Sequence, residues 1–315
     1  MGPVVTAVDV GKRWSATPAL AGATFTVGDG VTGLLGANGA GKTTLLGLIL
    51  GLHRPDSGSI TVFGHDPWVA GAEVRMRLGY APEHDALPPD VAAHDVVRHL
   101  AELHGLPRRE ATSRASDALW EVGLGEERFR PVGTMSTGQR QRVKLAQAIA
   151  HDPELLLLDE PTNGLDPSQR EDMLALIEHV GADLGMHVIV SSHLLEEVER
   201  VSTSVVILDA GRVVANGGIA ELRQTAPELV VDLELQGGPD PARRLVGALE
   251  AAGLSATADG PKRVLVVLEA PDVYDTLRDA LAAGGYSLRR LERRTASLED
   301  IYLASSSTSI PGNGS

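Results

Sequence analysis

The chain has 315 residues, 43% hydrophobic and 22% charged, which is typical of a soluble globular protein with about two domains. Its 42 acidic residues outnumber the 28 basic ones, and the formal net charge of -14 would repel the phosphate backbone of a nucleic acid, so no nucleic-acid partner is expected. The absence of cysteine excludes disulfides, thiolate catalysis and cysteine-ligated metal, and the 10 histidines show no metal-ligand spacing.

The beginning of the chain, MGPVVTAVDVGKRW, lacks the charged start, apolar stretch and cleavage site of a secretory signal, so we expect a cytoplasmic protein. No segment reaches the roughly 18 to 20 uninterrupted apolar residues of a membrane-spanning helix, because GANGAGK interrupts the apolar residues between 34 and 52. A function at the membrane would therefore require another chain to cross it.

The first predicted elements surround a glycine-rich loop. The run VTGLL at 31 to 35 predicts a strand, and TTLLGLIL at 43 to 50 predicts a helix. The loop between them fits G-x-x-x-x-G-K-[ST], in which backbone N–H groups and a helix N-terminus surround phosphate oxygens, Lys42 reaches the terminal phosphates and the Thr43 hydroxyl binds Mg²⁺. A flexible glycine turn is the alternative. The predicted ATP-binding residues here are Gly36, Asn38, Gly39, Ala40, Gly41, Lys42, Thr43 and Thr44.

Further strands are predicted at 59 to 63, 155 to 158 and 187 to 191, and two short strands flank an Ala-Gly turn within 205 to 215. The run LLLL at 155 to 158 is apolar throughout, as expected of a parallel strand that is covered on both faces. The order of these pieces predicts an α/β core.

Two acids, Asp159 and Glu160, end the LLLL run. Because the carboxyl ends of parallel strands face the ligand crevice, both side chains should point at the nucleotide. Asp159 would hold Mg²⁺ through water, and Glu160 would orient or deprotonate the attacking water. A solvated acidic strand end is the alternative.

A second glycine turn belongs to a predicted all-helical insert at about 86 to 150, in which apolar residues recur three and four apart. Ser136 and Gly138 begin a helix predicted over 139 to 150, whose N-terminal N–H groups form an anion site. The insert carries this turn away from the core, so one chain cannot easily grip one nucleotide with both turns. The economical arrangement is two copies head to tail, each turn closing over the ATP of the other copy.

The region after Leu222 reads as a separate small α/β domain of the ferredoxin-like, split βαβ kind over 225 to 303, followed by a tail at 304 to 315 that we expect to be disordered. The helices should cover one face of its sheet, leaving the other face to bury against a twin. We expect a dimer tether, with a small-molecule regulatory site as the alternative. Its predicted elements are strand 229 to 235, helix 241 to 252, strand 263 to 268, helix 272 to 283 and strand 286 to 291.

Taken together, these motifs resemble those of the ATP-binding subunits of ABC transporters, in that family's order over residues 4 to 222. MSTGQ at 135 to 139 is similar to the signature LSGGQ, LLLLDEP to the Walker B strand, and NGLDP at 163 to 167 to the D-loop. The resemblance implies a P-loop NTPase of the ABC type at 1 to 224, which hydrolyses ATP with Mg²⁺ as a homodimer.

The resemblance also implies residue roles. His193, in SSHLLEEVE, occupies the place of the switch histidine that contacts the γ-phosphate and the water, so the implied catalytic residues are Lys42, Glu160 and His193. Trp14, in GKRW, matches the aromatic residue that stacks on adenine, although a tryptophan in this position is also a common packing residue. The residues implied to bind ATP in trans are Ser136, Thr137, Gly138 and Gln139.

One position departs from the family pattern. In GYAPEHD, Glu83 stands where the family has the Q-loop glutamine. An extra carboxylate near Mg²⁺ would bind the metal directly or tune hydrolysis, so Glu83 joins Thr43 and Asp159 as a candidate metal ligand. With a glutamate at this position, the chain resembles the exporter branch of the family, which handles drugs, antibiotics, lipids and polysaccharides. An ordinary loop acid is the alternative.

Three functions compete. We expect the ATPase subunit of an exporter, bound peripherally to the cytoplasmic face of the membrane. A separate transmembrane permease would determine the substrate. The closing motif SLEDIYL at 297 to 303 is similar to the end of such subunits. A soluble ABC ATPase of translation or DNA repair is the alternative, but it would carry two nucleotide domains or a long coiled coil, whereas 44 to 135 hold only the insert. A P-loop kinase or GTPase has no use for a signature helix.

Overall fold

The computed structural model describes residues 2 to 84, 87 to 224, 227 to 234, 240 to 268, 272 to 295 and 298 to 299. These residues fall into two units, one within Met1–Ile219 and one within Ala220–Ser307. The tail predicted at 304 to 315 and most of the SLEDIYL motif lie outside the described residues.

The first unit combines two sheets with helices. In chain order its elements are β1 (Val5–Trp14), β2 (Thr17–Val27), β3 (Val31–Leu35), α1 (Lys42–Ile49), β4 (Ser57–Val62), α2 (Pro67–Ala70), α3 (Ala72–Arg75), β5 (Leu78–Ala81), α4 (Ala93–Leu103), α5 (Arg108–Glu121), α6 (Thr137–Ile149), β6 (Leu155–Asp159), α7 (Pro167–Ala182), β7 (His187–Ser192), α8 (Leu195–Val201), β8 (Ser204–Asp209) and β9 (Arg212–Gly218). Helix α9 (Ile219–Gln224) follows at the boundary between the two units.

The larger sheet has the strand order β5-β6-β7-β3-β8-β9. Strands β5 to β8 are parallel within this order, and β9 pairs antiparallel with β8. Every residue of β3 and β6 is buried, because apolar side chains cover both faces of the sheet. In the register, Leu35 lies beside Ser192 and Asp159 beside Ser191, so the carboxyl ends of β3, β7 and β6 meet at one edge.

A second sheet, antiparallel in the order β2-β1-β4, packs against α1. Strand β4 covers most of the run at 59 to 63, which therefore lies in this sheet and not in the parallel sheet of the α/β core. Strands β1 and β2 of this sheet precede the glycine-rich loop in sequence. They bring Trp14 and Ala19 close to that loop.

The insert consists of α4, α5 and α6, which share one apolar core with the sheet. Helix α6 begins at Thr137 with a capping box, in which Ser136 Oγ accepts from the backbone N–H of Gln139 at 3.2 Å and the Gln139 side chain accepts from the backbone N–H of Ser136 at 3.1 Å. The sequence pattern predicts this helix two residues later, at 139. No helix among the described residues is both long and apolar enough to span a membrane.

Apart from α9, most of which belongs to it, the second unit contains four described strands and two longer helices. They are β10 (Pro227–Leu233), α10 (Pro241–Ala251), β11 (Ala256–Ala258), β12 (Arg263–Val267), α11 (Val273–Ala283) and β13 (Leu288–Thr295). The sheet is antiparallel with the order β11-β12-β10-β13, so β12 lies between the two strands that α10 connects. Leu245 of α10 and Leu277 of α11 share one core with Val231 and Val264 of the sheet.

Candidate active site

A cleft of about 280 Å³ opens at the carboxyl ends of β3 and β6. Most of the predicted residues of the glycine-rich loop line this cleft, together with Glu83, Asp159 and Glu160. Ala19 and Ala37 also line it, whereas Gly36 and Ala40 lie in the loop without being part of the lining. The lining residues are Ala19, Ala37, Asn38, Gly39, Gly41, Lys42, Thr43, Thr44, Glu83, Asp159 and Glu160.

Two glycines of the loop, Gly36 and Gly41, are required by close backbone contacts. A Cβ on Gly36 would lie 2.5 Å from the Leu208 carbonyl oxygen. Gly41 has a φ of 108°, and a Cβ on it would lie 2.5 Å from the Ala19 carbonyl oxygen. The loop therefore turns sharply into α1, whose N-terminus is exposed to the cleft through Lys42 and Thr43. This is the arrangement that binds phosphate groups through backbone N–H groups.

Lys42 connects the loop to the end of β6. Its buried ammonium donates to the Gly36 carbonyl at 2.6 Å and lies 3.1 Å from Glu160 Oε1. Both side chains are only 6% exposed. A buried cation and a buried carboxylate therefore face the same cleft, as a site that both binds phosphate and activates water requires.

Asp159 is held by two hydroxyl groups. Thr43 Oγ1 donates to Asp159 Oδ2 at 3.1 Å, and Ser191 Oγ donates to Asp159 Oδ1 at 2.7 Å. Burial raises the pKa of the Asp159 carboxyl above its ordinary value, and the hydrogen bonds from Ser191 and Thr43 oppose that rise. A cation beside Asp159 would relieve the cost of burying the carboxylate, so hard oxygen ligands and charge both fit Mg²⁺.

Glu160 also contacts His193, the other residue predicted to act in catalysis. His193 Nδ1 lies 2.9 Å from Glu160 Oε2, so the two oxygens of Glu160 face Lys42 and His193 respectively. Glu160 has a φ of 48°, in the left-handed region that a residue with a side chain adopts only at a cost. The backbone N–H of Glu160 donates to Ser191 Oγ at 2.9 Å, which holds this conformation in place.

Glu83 lies in the cleft as its position in the sequence predicts. Its Oε1 accepts from Asn163 Nδ2 at 3.1 Å. Its backbone carbonyl accepts from the buried Lys144 Nζ of α6 at 2.8 Å, which connects the insert to the cleft. No group of three His, Asp or Glu side chains among the described residues is placed to hold a metal ion by itself, so a metal here would depend on Thr43 and on the nucleotide as well.

The predicted signature residues lie elsewhere. None of the four residues from Ser136 to Gln139 belongs to the described lining of the cleft, and Ser136, at the start of α6, is exposed. Gly138 is packed so tightly that a Cβ would lie 3.0 Å from the Gln169 side chain. The structure thus separates the two glycine turns within one chain.

Trp14 lies beside the cleft without lining it. Its indole Nε1 donates to Thr44 Oγ1 at 3.1 Å, and its ring meets the ring of His53 edge-on with centroids 4.8 Å apart. Trp14 as a whole is 45% exposed, which leaves apolar surface available next to the phosphate loop.

Sequence reasoning missed Ser191, Asn163 and Ala19. Ser191 is the first of two serines that follow the apolar residues of β7, which is the only local signal of its role. Asn163 begins the NGLDP motif, but that motif does not indicate its contact with Glu83, and Ala19 carries no local signal.

Known proteins are similar to this chain over part or nearly all of its length. The family model described as "ABC transporter" matches residues 20 to 163. Linearmycin resistance ATP-binding protein LnrL of Bacillus subtilis is 35% identical over 233 residues, which cover 73% of this chain and 75% of LnrL. Nod factor export ATP-binding protein I of Ralstonia nicotianae is 31% identical over 303 residues, which cover 96% of this chain and 93% of that protein.

Among solved structures, cbiO1 from Clostridium perfringens, described as part of the ABC transporter complex cbiONQ, superposes with a TM-score of 0.64 and 27% identity over 70% of this chain and 91% of cbiO1. Methionine import ATP-binding proteins are also among the relatives, so family membership alone does not set the direction of transport.

Proposed function

This chain belongs to the ATP-binding subunits of ABC transporters and hydrolyses ATP, and we propose that it powers an exporter whose membrane-crossing permease is a separate chain. The observation that carries the proposal is the cleft in which Lys42, Asp159 and Glu160 meet below the glycine-rich loop. The match with the Nod factor export protein over nearly the whole of both chains supports export. Glu83 in place of the Q-loop glutamine supports it too.

In this proposal each side chain has a role, which its contacts support. Lys42 and the N–H groups of the loop bind the phosphates of ATP, and Trp14 stacks on adenine next to Thr44. Glu160 accepts the proton of the attacking water, and His193 contacts the γ-phosphate. The Thr43 hydroxyl and the carboxylates of Asp159 and Glu83 would hold Mg²⁺, which neutralises charge on the phosphates.

The C-terminal unit has a different role in this proposal. We assign 1 to 224 to the nucleotide-binding domain and 225 to 303 to an accessory domain that tethers two copies. Helices α10 and α11 contribute to the same core of the accessory domain, and such a layer of helices leaves one face of the sheet available to a twin. A tether of this kind would raise the effective concentration for closing the nucleotide domains.

Isolation of the tagged full chain from detergent-solubilised membranes of its own source tests the membrane proposal. We expect a polytopic membrane protein to co-isolate in comparable amount, and inside-out vesicles to accumulate its substrate on addition of ATP. The Lys42→Ala variant should still co-isolate but should not support accumulation, because it loses nucleotide binding and not assembly. Recovery with ribosomes or DNA and without a membrane protein would contradict the exporter and favour the soluble alternative.

A further inference from the structure

We propose that Glu197 is a positioning residue that sets the distance between Glu160 and His193. Glu197 lies in α8, within the SSHLLEEVE stretch that contains His193, but no role is assigned to it above and it does not line the cleft. The inference deepens the proposed hydrolytic site and rests on the roles assigned there to Glu160 and His193.

A single oxygen of Glu197 connects the two loops that carry this catalytic pair. Its Oε2 accepts from Thr162 Oγ1 at 2.8 Å and from Ser192 Oγ at 2.7 Å. Thr162 lies two residues after Glu160, and Ser192 immediately precedes His193. The hydrogen bonds from these two hydroxyl groups therefore hold the backbone next to each catalytic residue. The Glu197 side chain that accepts them is only 7% exposed.

The loop at His193 is held on both sides. Ser192 Oγ donates to Glu197 and accepts from the backbone N–H of Leu194 at 3.0 Å. His193 thus lies inside a short hydrogen-bonded turn that ends on Glu197. Since His193 Nδ1 is 2.9 Å from Glu160 Oε2, a shift of this turn would change the catalytic contact directly.

The charge of Glu197 has a partner in a third element. Arg170 Nε of α7 lies 3.3 Å from Glu197 Oε1. A buried carboxylate is costly unless it is paired and hydrogen bonded, and here both conditions are met. Helix α7 follows the D-loop directly, with Asp166 as its N-cap, so Glu197 also connects the D-loop to the catalytic pair.

The Glu197→Ala variant tests this role. We expect kcat for ATP hydrolysis to fall about 10- to 100-fold, because a displacement of about 1 Å in a catalytic contact has an effect of this size. The Kd for ATP should stay within about 3-fold of wild type, because binding depends on the glycine-rich loop. Glu197→Gln, which keeps one acceptor for the two hydroxyl groups, should lose less activity. Glu196→Gln, on the exposed side of α8, is the matched control and should leave kcat unchanged.

A purely structural role would give a different pattern, namely a lower melting temperature with parallel loss of ATP binding and turnover. If Glu197→Ala does not fold, Thr162→Val and Ser192→Ala replace it, and each should lower kcat with less than additive effect in combination. The inference would be overturned if Glu160→Gln is inactive while Glu197→Ala keeps the wild-type kcat. The same holds if Thr162→Val and Ser192→Ala both keep the wild-type kcat. Wild-type turnover in Glu160→Gln would instead overturn the hydrolytic role on which it rests.

Discussion

At the scale of single residues, the site concentrates buried charge around Glu160. One oxygen of this carboxylate faces Lys42 at 3.1 Å and the other faces His193 at 2.9 Å. The left-handed backbone at Glu160 lets the strand turn away immediately after Asp159, so two consecutive acids reach the same cleft. In a regular strand, consecutive side chains would point to opposite faces.

The Glu160→Gln variant tests the assignment of Glu160 as the base. It should bind ATP normally but hydrolyse it about 100-fold or more slowly, because a neutral amide cannot accept the proton of the attacking water. Steady-state ATPase rates and equilibrium binding of ATP measure the two effects separately. Glu154→Gln, just before the opposite end of β6, is the control and should hydrolyse ATP at the wild-type rate. Equal rates in both variants would contradict the assignment.

Local patterns in the sequence were enough to predict part of the site. A glycine turn marks the residues of the phosphate loop, and the end of an apolar run marks Asp159 and Glu160. Residues such as Ser191, Asn163 and Glu197 were not predictable in this way. The contacts of Ser191 with Glu160, of Asn163 with Glu83 and of Glu197 with Thr162 each join residues that are tens of positions apart in sequence, so the fold and not the local pattern creates them. Asn163 and Glu197 lie within quoted motifs, but those motifs do not indicate these contacts.

At the scale of elements, the strands with fully apolar runs were predictable, whereas β1 and β2 were not. Both belong to an antiparallel sheet, and their pairing contains register shifts at Val10 and Lys12 that interrupt the simple alternation of apolar and polar residues. Strand β5 has only four residues, too few for a periodic signal. In the second unit, β11 escaped prediction for the same reason, since it has three residues.

The contact between the insert and the core contains a pair of histidines. The ring of His104, at the end of α4, stacks on the ring of His151, after α6, with centroids 3.7 Å apart. His151 Nε2 lies 3.0 Å from the Leu78 carbonyl oxygen, so the neutral ring donates to β5. Burial, followed by the nearby His104, lowers the pKa of His151 from the ordinary 6.5 to about 4, while the contact with Leu78 and the charge of Asp152 oppose the shift.

This junction should make stability depend on pH. As pH falls below 6.5 the unfolded chain takes up a proton at His151 but the folded chain does not until about pH 4, so the contribution of His151 to stability is lost over that interval. Urea midpoints should therefore fall more steeply from pH 6.5 to 4 in wild type than in His151→Asn. His65→Asn, at an exposed position, should keep the wild-type slope. Identical slopes in all three proteins would refute the prediction.

At the scale of the whole molecule, the separation of the two glycine turns is the main architectural fact. The glycine-rich loop, Asp159 and Glu160 share one cleft, whereas the exposed N-terminus of α6 does not belong to its described lining. The insert that carries α6 shares its core with the parallel sheet, so the turn at Ser136 is fixed to its own chain away from its own cleft. A second copy, related head to tail, would bring such a turn to each cleft and close it.

Mixing two inactive variants tests this arrangement. Lys42→Ala destroys the cleft of its own chain, and Ser136→Arg blocks the turn that would close the cleft of its partner. A heterodimer of the two contains one site with both defects and one site with neither, so an equal mixture should recover about a quarter of wild-type ATPase activity if the sites act independently. Mixing Lys42→Ala with Glu160→Gln is the matched control, because both changes lie in the cleft of their own chain and no heterodimer contains an intact site. Recovery in the first mixture alone supports closure in trans, whereas no recovery under conditions of subunit exchange would mean that the signature serves its own chain.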